Sequence, residues 1–354
     1  AAFQDAFRGK PCIIIAAGPS LTNNVELLRE ISGRCVTICV SHALGALKAI
    51  DVVPNFSILT DCQAIGYHFA GFPVETDLQA ALAHKPDAVI VANPTALHLD
   101  VAIPAAQAGC HLLLEKPIAH SLARVDELVQ TAALQGVRAL VGFQFRFHPG
   151  LRKIKGLVES GGIGQPLSVR VHWGEYLPDW HPWEDYRQSY AARADLGGGA
   201  IRTLCHPLDY LRMLLGEVES VWCFAGREGL GLEVEDTAEI GLRFANGTVG
   251  SVHLDFVQRP PKHTLELVVT AGTLTWDNAD GAARLYRAPA GTWEVFSPPE
   301  GFERNMMFLD EMKNFLAVAR GEEAPACNLD DGVRALGLAL AALESAETGC
   351  CIAL

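Results

Sequence analysis

The chain has 354 residues, with 41 Asp and Glu against 28 Lys and Arg, giving a formal charge of −13. Hydrophobic residues make up 49% and charged residues 19%, so a core can form without disulfide or metal staples. An acidic chain without a basic block suits neither nucleic acid nor an anionic membrane, and no uncharged apolar run reaches the roughly 18 residues of a spanning helix.

The first ten residues mix acidic and basic side chains and contain no apolar signal core, so a cytoplasmic protein is expected. No Met opens the chain, and a longer natural N-terminus is expected. The ten cysteines are scattered, apart from the adjacent Cys350 and Cys351, and form no C-x-x-C pair. Free thiols in a reducing compartment are expected, with no metal centre.

Strand-like runs follow at Cys12–Ala16, Cys35–Val40, Phe56–Leu59, Ala88–Ala92, His111–Leu114 and Ala139–Phe143. Several are continuously apolar, which suits strands of a parallel sheet covered on both faces. Helical segments lie between them. In 121–135, Leu122, Val125, Leu128 and Val129 repeat at helical spacing behind Ser121, a candidate N-cap. This alternation predicts an α/β domain with a doubly wound parallel sheet over residues 1–145.

After about residue 150 the pattern changes. Leu167, Val169, Val171 and Trp173 alternate with polar residues, as in a strand with one covered face. Asn246-Gly247 separates two apolar runs, a hairpin signal. More strands are predicted at 264–270 and 274–276. Helices are predicted from about 303 to 320, with Phe308, Met312, Phe315 and Ala319 on one stripe, and from 331 to about 347. Residues 146–354 thus read as an α+β domain with an open, mainly antiparallel sheet. Its exposed strand face would need a cover.

One apolar strand ends in Glu115-Lys116-Pro117. Ligands of open parallel sheets sit at the carboxyl ends of strands. A lysine there can hold a proton for transfer, or it is an ordinary loop lysine. His206 follows Gly197-Gly198-Gly199, and such glycines allow close backbone approach to a ligand. Without that context, a histidine in an apolar helix reads as a core residue. The stretch from Tyr176 to Arg187 includes Trp180, His181 and Trp183. Aromatic faces stack on sugar rings, though a loop of this kind also suits packing on a sheet or a subunit interface.

Several segments occur together in order. They are Pro86–His98, Ala108–His111, Glu115-Lys116-Pro117, Gly142–Pro149, Gly197–Ala200 and His206–Arg212. They resemble the Gfo/Idh/MocA family of nicotinamide-dependent oxidoreductases, from about Phe72 onward. The resemblance implies a Rossmann-like domain and an open-sheet domain that carries the substrate site, with C-terminal helices packing back on the first domain. It also implies NAD or NADP as cofactor, a homo-oligomer, and no nucleic-acid or membrane partner.

By the same resemblance, Lys116 and His206 are the catalytic candidates. Asn93, Pro94, Thr95, His98, Glu115, Lys116, Pro117 and Gln144 lie along the cofactor. Lys116, Arg146, Trp180, His181, Thr203 and His206 face substrate. The family's acidic partner before the histidine is missing, since Thr203 and Arg202 stand there. The wording of 173–181 is similar to a subgroup associated with nucleotide sugars and surface glycans.

The start of the chain departs from this pattern. A G-x-G-x-x-G/A turn is expected after the first strand, but the chain has Gly18-Pro19-Ser20-Leu21. Ser41 stands where an acidic residue would hold adenosine ribose. Residues 7–63 instead resemble the MptE-like domain of motility accessory factors, which are linked to sialic-acid-like sugars. Its turn could still cradle a phosphate with Gly18, Pro19, Ser20, Leu21 and Ser41, and Asp61 nearby.

The first βαβ unit, 1–66, is therefore atypical, and the join falls near 63–71. Two functions are expected from these readings. One is an NAD(P)-dependent oxidoreductase acting on a sugar or nucleotide sugar. The alternative is a nucleotide-sugar binding or transferase-like module with a degraded dinucleotide site.

Overall fold

The structure is a computed structural model. It describes residues 77–354 together with three earlier strands, β1 (Cys12–Ile15), β2 (Val36–Val40) and β3 (Phe56–Ile58). The chain divides into two compact units, Ala1–Lys85 and Pro86–Leu354.

In the first unit the three strands pair in parallel, in the order β1-β2-β3. Helix α1 (Leu78–Ala83) is capped by Asp77, whose carboxylate accepts from the Ala80 N–H at 2.8 Å. Gly18, Pro19, Ser20, Leu21, Ser41 and Asp61 lie outside the described residues.

The second unit opens with another parallel sheet, ordered β4-β5-β6. Its strands are β4 (Ala88–Val91), β5 (His111–Glu115) and β6 (Ala139–Gly142). Leu112, Leu114, Leu140 and Val141 are at most 1% exposed, as apolar runs covered on both faces require. The crossovers are helices α2 (His98–Gln107) and α3 (Val125–Gln135). Helix α3 starts three residues later than the Ser121 cap implied. Arg124, in the left-handed region, is its N-cap, and Leu122 is exposed. The repeat marks the helix, but the 121–124 segment belongs to the turn before it.

Helix α4 (Pro149–Glu159) leads into β7 (Pro166–Tyr176). The short α5 (Ala200–Thr203) and α6 (His206–Leu215) follow an irregular segment. Then come β8 (Val218–Gly226), β9 (Thr237–Phe244), β10 (Val249–Asp255), β11 (Val257–Val269), β12 (Gly272–Asp277), β13 (Ala283–Arg287) and β14 (Thr292–Phe296). Helices α7 (Arg304–Arg320) and α8 (Leu329–Thr348) and the short β15 (Ile352–Ala353) complete the chain.

The large sheet runs β14-β13-β12-β11-β7-β10-β9-β8-β15. Its pairs are antiparallel except β7 with β10, which is parallel. The β9–β10 hairpin turns at Asn246-Gly247, where Gly247 has φ +86° and the Asn246 side chain accepts from the Thr248 N–H.

Val169, Val171 and Trp173 of β7 are all under 8% exposed within the single chain. The apolar face therefore needs no second subunit to cover it. The face left open carries Arg170 and His172 at its centre and the exposed Phe224, Trp293 and Val295 towards its two edges.

Helix α8 starts in a capping box formed by Asn328 and Asp331. It lies against the β4–β6 sheet as well as β8. A Cβ on Gly332 would stand 2.7 Å from Ile118 and 2.8 Å from Val141, so only glycine allows this approach. The buried stripe of α7 is Met307, Glu311, Phe315 and Val318, one position out of phase with the expected stripe except at Phe315. Among the described cysteines, Cys110, Cys205, Cys223 and Cys327 are buried and free, while Cys350 and Cys351 are exposed. No helix among the described residues is long and apolar enough to cross a membrane.

Candidate active site

Strand β5 delivers Glu115 and Lys116 at its carboxyl end, followed by Pro117 in a cis peptide. Lys116 reaches across to the α5–α6 corner, where its Nζ donates to the Thr203 carbonyl at 2.7 Å. Burial opposes the charge on Lys116. The nearby Tyr190 hydroxyl, Cys205 thiol and Glu115 carboxyl favour it, and the balance holds the ammonium above the ordinary lysine value. Glu115 moves the other way from most paired carboxyls. Burial raises it more than Lys116 and the Lys116 backbone N–H lower it.

His206 is the first residue of α6 and is 1% exposed. Phe143, Phe145 and Trp173 surround its ring at centroid distances of 5.5, 5.0 and 5.5 Å. Burial, and then the cations of Lys116 and Arg304, push its pKa well below the ordinary histidine value, with His263 adding to the effect. It is therefore a neutral imidazole at pH 7. His206 Nδ1 and Thr203 Oγ1 are buried with no hydrogen-bond partner among the described residues. Buried polar atoms are rarely left unpaired. Here two lie in the same corner as the Lys116 ammonium.

The loop after β4 supplies Asn93, Pro94 and Thr95. Asn93 Nδ2 donates to the Leu97 carbonyl at 2.9 Å, and its Oδ1 is buried without a partner among the described residues. His98 is the first residue of α2. Its Nε2 meets the Asn93 carbonyl at 2.9 Å, and the Pro117 and Ile118 backbone lies beside the ring. Its Nδ1 is buried with no hydrogen-bond partner among the described residues. Gln144 is buried in the 3-10 turn after β6.

Arg146 does not present its guanidinium to a ligand. It grips Asp209 through Nε and Nη2, at 2.9 and 2.6 Å. Its Nη1 donates to the Ala326 carbonyl at 2.5 Å and to Asp331 at 3.0 Å. With the arginine 8% and Asp209 1% exposed, this is a buried clamp joining the β6 turn, α6 and α8.

The glycine run also has an internal reason. A Cβ on Gly198 would overlap the carbonyls of Tyr190 and Ala191, and one on Gly199 would overlap the Glu235 carboxylate. A Cβ on Gly197 would press on His120 and Thr95. The glycines let the chain itself pack closely and so place α5 and α6. Glu235 accepts from the Ile201 N–H at 3.0 Å and holds the start of α5.

In the aromatic stretch, Trp180 packs edge-on to Phe256, with its Nε1 buried and unpartnered among the described residues. His181 pairs with Glu184 at 2.6 Å and stacks on the exposed Trp183. Tyr190 and Arg304 act on Lys116 but stand out in no local motif. Only the return of the 177–199 segment and of α7 to the β5 end brings them there.

The chain matches the profile "Oxidoreductase family, NAD-binding Rossmann fold" over residues 60–143 and "GFO/IDH/MocA C-terminal domain" over residues 151–275. It also matches "6-hydroxymethylpterin diphosphokinase MptE-like" over residues 1–97. It is 29% identical to the 1,5-anhydro-D-fructose reductase of Ensifer adhaerens, covering 88% of this chain and 94% of that one. It is also 29% identical to the myo-inositol 2-dehydrogenase of Thermotoga maritima, covering 74% and 78%.

Its fold is similar to that of the WlbA dehydrogenase from Bordetella pertussis, solved in complex with NADH and UDP-GlcNAcA. The TM-score is 0.71 at 23% identity, covering 98% of this chain and 99% of the other. With both halves of the family pattern in order, and Lys116 set at the end of its parallel strand, the chain belongs to the Gfo/Idh/MocA family of NAD-binding oxidoreductases.

Proposed function

We propose that the enzyme moves a hydride between NAD or NADP and a carbinol or keto carbon of a sugar or nucleotide sugar, with surface-glycan or sialic-acid-like sugar metabolism as its setting. One observation carries the proposal: Lys116 Nζ sits on the Thr203 carbonyl beside two unpaired buried polar atoms, Thr203 Oγ1 and His206 Nδ1.

The residues fit the nicotinamide end of the cofactor. Asn93 Oδ1 is an acceptor in search of a donor, and ribose hydroxyls are donors. Asn93, Pro94, Thr95, His98, Glu115, Lys116, Pro117 and Gln144 would hold that end. When bound, the cofactor supplies or accepts the hydride.

The remaining chemistry belongs to the protein. Lys116 holds a proton at Nζ and stabilises negative charge on the substrate oxygen. His206, neutral, presents Nδ1 to a substrate hydroxyl and accepts its proton in the oxidising direction. Thr203 Oγ1 orients that hydroxyl. Trp180 and His181 supply an aromatic and a polar contact for the ring. The named relatives act on polyhydroxylated rings, and the WlbA structure holds a nucleotide sugar.

Titration of NADH and NADPH fluorescence, followed by turnover with anhydro sugars, inositols and nucleotide-linked uronic acids, tests the proposal. Failure to bind either cofactor at about millimolar concentration overturns it. The MptE-like match over residues 1–97 favours a second reading, in which Gly18, Pro19, Ser20, Leu21 and Ser41 hold a nucleotide sugar. Thermal-shift competition between uridine or cytidine diphosphate ligands and NAD(P) separates the two. The homo-oligomer is part of the first proposal, and native mass spectrometry checks it.

A further inference from the structure

The open face of the large sheet carries a row of polar side chains in register. Glu239 on β9 faces His253 on β10, and His253 faces His172 on β7. Asp255 lies two residues beyond His253 on the same face. Its Oδ2 is 2.9 Å from His253 Nε2, and the other ring nitrogen, Nδ1, is 2.6 Å from Glu239. The His172 and His253 rings are 4.5 Å apart.

Asp255 is built into place. The Val257 and Gln258 N–H groups donate to its Oδ1 at 2.8 and 2.6 Å, which leaves Oδ2 to face the histidines. Its cross-strand partner is Gly174, where a Cβ would overlap Oδ2. Asp255 is 2% exposed, while the row opens onto a cleft of about 530 Å³.

We infer that His172, His253 and Asp255 bind a divalent transition-metal ion of the zinc type, with Glu239 orienting His253 and the fourth position left to water. One ligand atom from each of the three lies within 4.8 Å of the others. Tetrahedral zinc with imidazole and carboxylate ligands needs about 3.4 Å between ligand atoms, a small rotamer adjustment. Two imidazoles and a carboxylate suit zinc, cobalt or nickel better than calcium or magnesium, which take oxygen ligands. A carboxylate on the second nitrogen of a ligating histidine is the usual outer support of such sites. The site lies at the centre of the open sheet face and shares no residue with the Lys116–His206 corner. Its ligands come from strands some eighty residues apart that pair in parallel, so no local spacing announces it.

The test uses the full chain, stripped with chelator, with Cys350→Ser and Cys351→Ser to remove the thiols exposed among the described residues. Calorimetry with Zn²⁺ and visible absorption with Co²⁺ read the site. The expected result is one ion per chain, a tetrahedral Co²⁺ spectrum without a thiolate band, and a Zn²⁺-dependent rise in Tm. Glu239→Gln should weaken Zn²⁺ binding about 10–100-fold. His172→Ala with His253→Ala should abolish both binding and the Tm rise. His253→Gln serves as a second variant if the double one folds poorly. Absence of Zn²⁺ and Co²⁺ binding overturns the inference, as does binding unchanged in the histidine variants.

Discussion

Lys116 Nζ and the Thr203 carbonyl meet at 2.7 Å although 87 residues separate them in the chain. That contact joins the end of a parallel strand to the corner between two helices of the second half. It places an ammonium group beside the buried His206 imidazole, and it fixes which substitutions should affect chemistry and which only stability.

Lys116→Ala removes the cation and proton from the corner. Turnover with NAD(P) should fall by about 10²–10⁴-fold, the range for loss of an acid–base group, with an unchanged circular dichroism spectrum. Turnover like the parent's would remove Lys116 from the chemistry. Thr203→Val keeps the carbonyl contact and deletes the hydroxyl, so KM for the sugar should rise more than kcat falls.

Arg146→Met breaks the clamp on Asp209 and leaves a buried carboxylate without its partner. It should cost about 3–5 kcal/mol of stability, measured by urea unfolding. KM of the folded fraction should stay near the parent's, because the guanidinium faces Asp209, Asp331 and Ala326. A large KM change with intact stability would return Arg146 to the substrate site.

His148 is a pH-sensitive cap. Its Nδ1 accepts from the Gly150 N–H at 3.0 Å at the start of α4, which requires the neutral ring. Burial pushes its pKa down to about 4, against about 6.5 in the unfolded chain. The unfolded state binds the proton first. This contribution is therefore intact above about pH 6.5 and is lost as pH falls towards 4, amounting to about 3 kcal/mol. His148→Asn keeps an acceptor that does not titrate. Its stability should fall less steeply than the parent's over that interval in urea unfolding. Parallel curves would unlink His148 from acid sensitivity.

Gly199→Ala puts a Cβ against the Glu235 carboxylate at a φ of +109°. It should destabilise the chain by about 1–3 kcal/mol and lower kcat by shifting α5 and its Thr203. Thermal unfolding with initial rates checks both. Wild-type values for the two would show that the glycine run has slack.

Elements with a strong period were legible in the sequence. The continuous apolar runs of β5 and β6 and the alternation in β7 follow from burial on two faces and on one, whereas the equally apolar β4 is only half-buried. The phase of a helix was less legible. In α7 the stripe includes Glu311, a buried carboxyl whose pKa burial raises well above the ordinary value, and no hydropathy pattern selects a glutamate for the interior. Gly197-Gly198-Gly199 signals close approach, but the approaching groups are Glu235 and the Tyr190–Ala191 backbone, which only the folded chain brings there. Lys116, Thr203 and His206 could be named because each stands beside a marked strand end or glycine turn. Tyr190 and Arg304 stand beside neither.

Runs of neighbouring residues are enough to mark β1–β7, β9–β12, the α7 and α8 helices, the family pattern and the lack of a regular dinucleotide turn at Gly18, whereas α4, β8, β13, β14 and β15 are not among the predicted elements. Tertiary structure decided the partners. Arg146 finds Asp209 across 63 positions, and His172 lies beside His253 because β7 and β10 pair in parallel. Such pairings depend on which strands become neighbours, a property of the whole chain's packing. A buried arginine and one facing a ligand look alike until the carboxylate opposite is known.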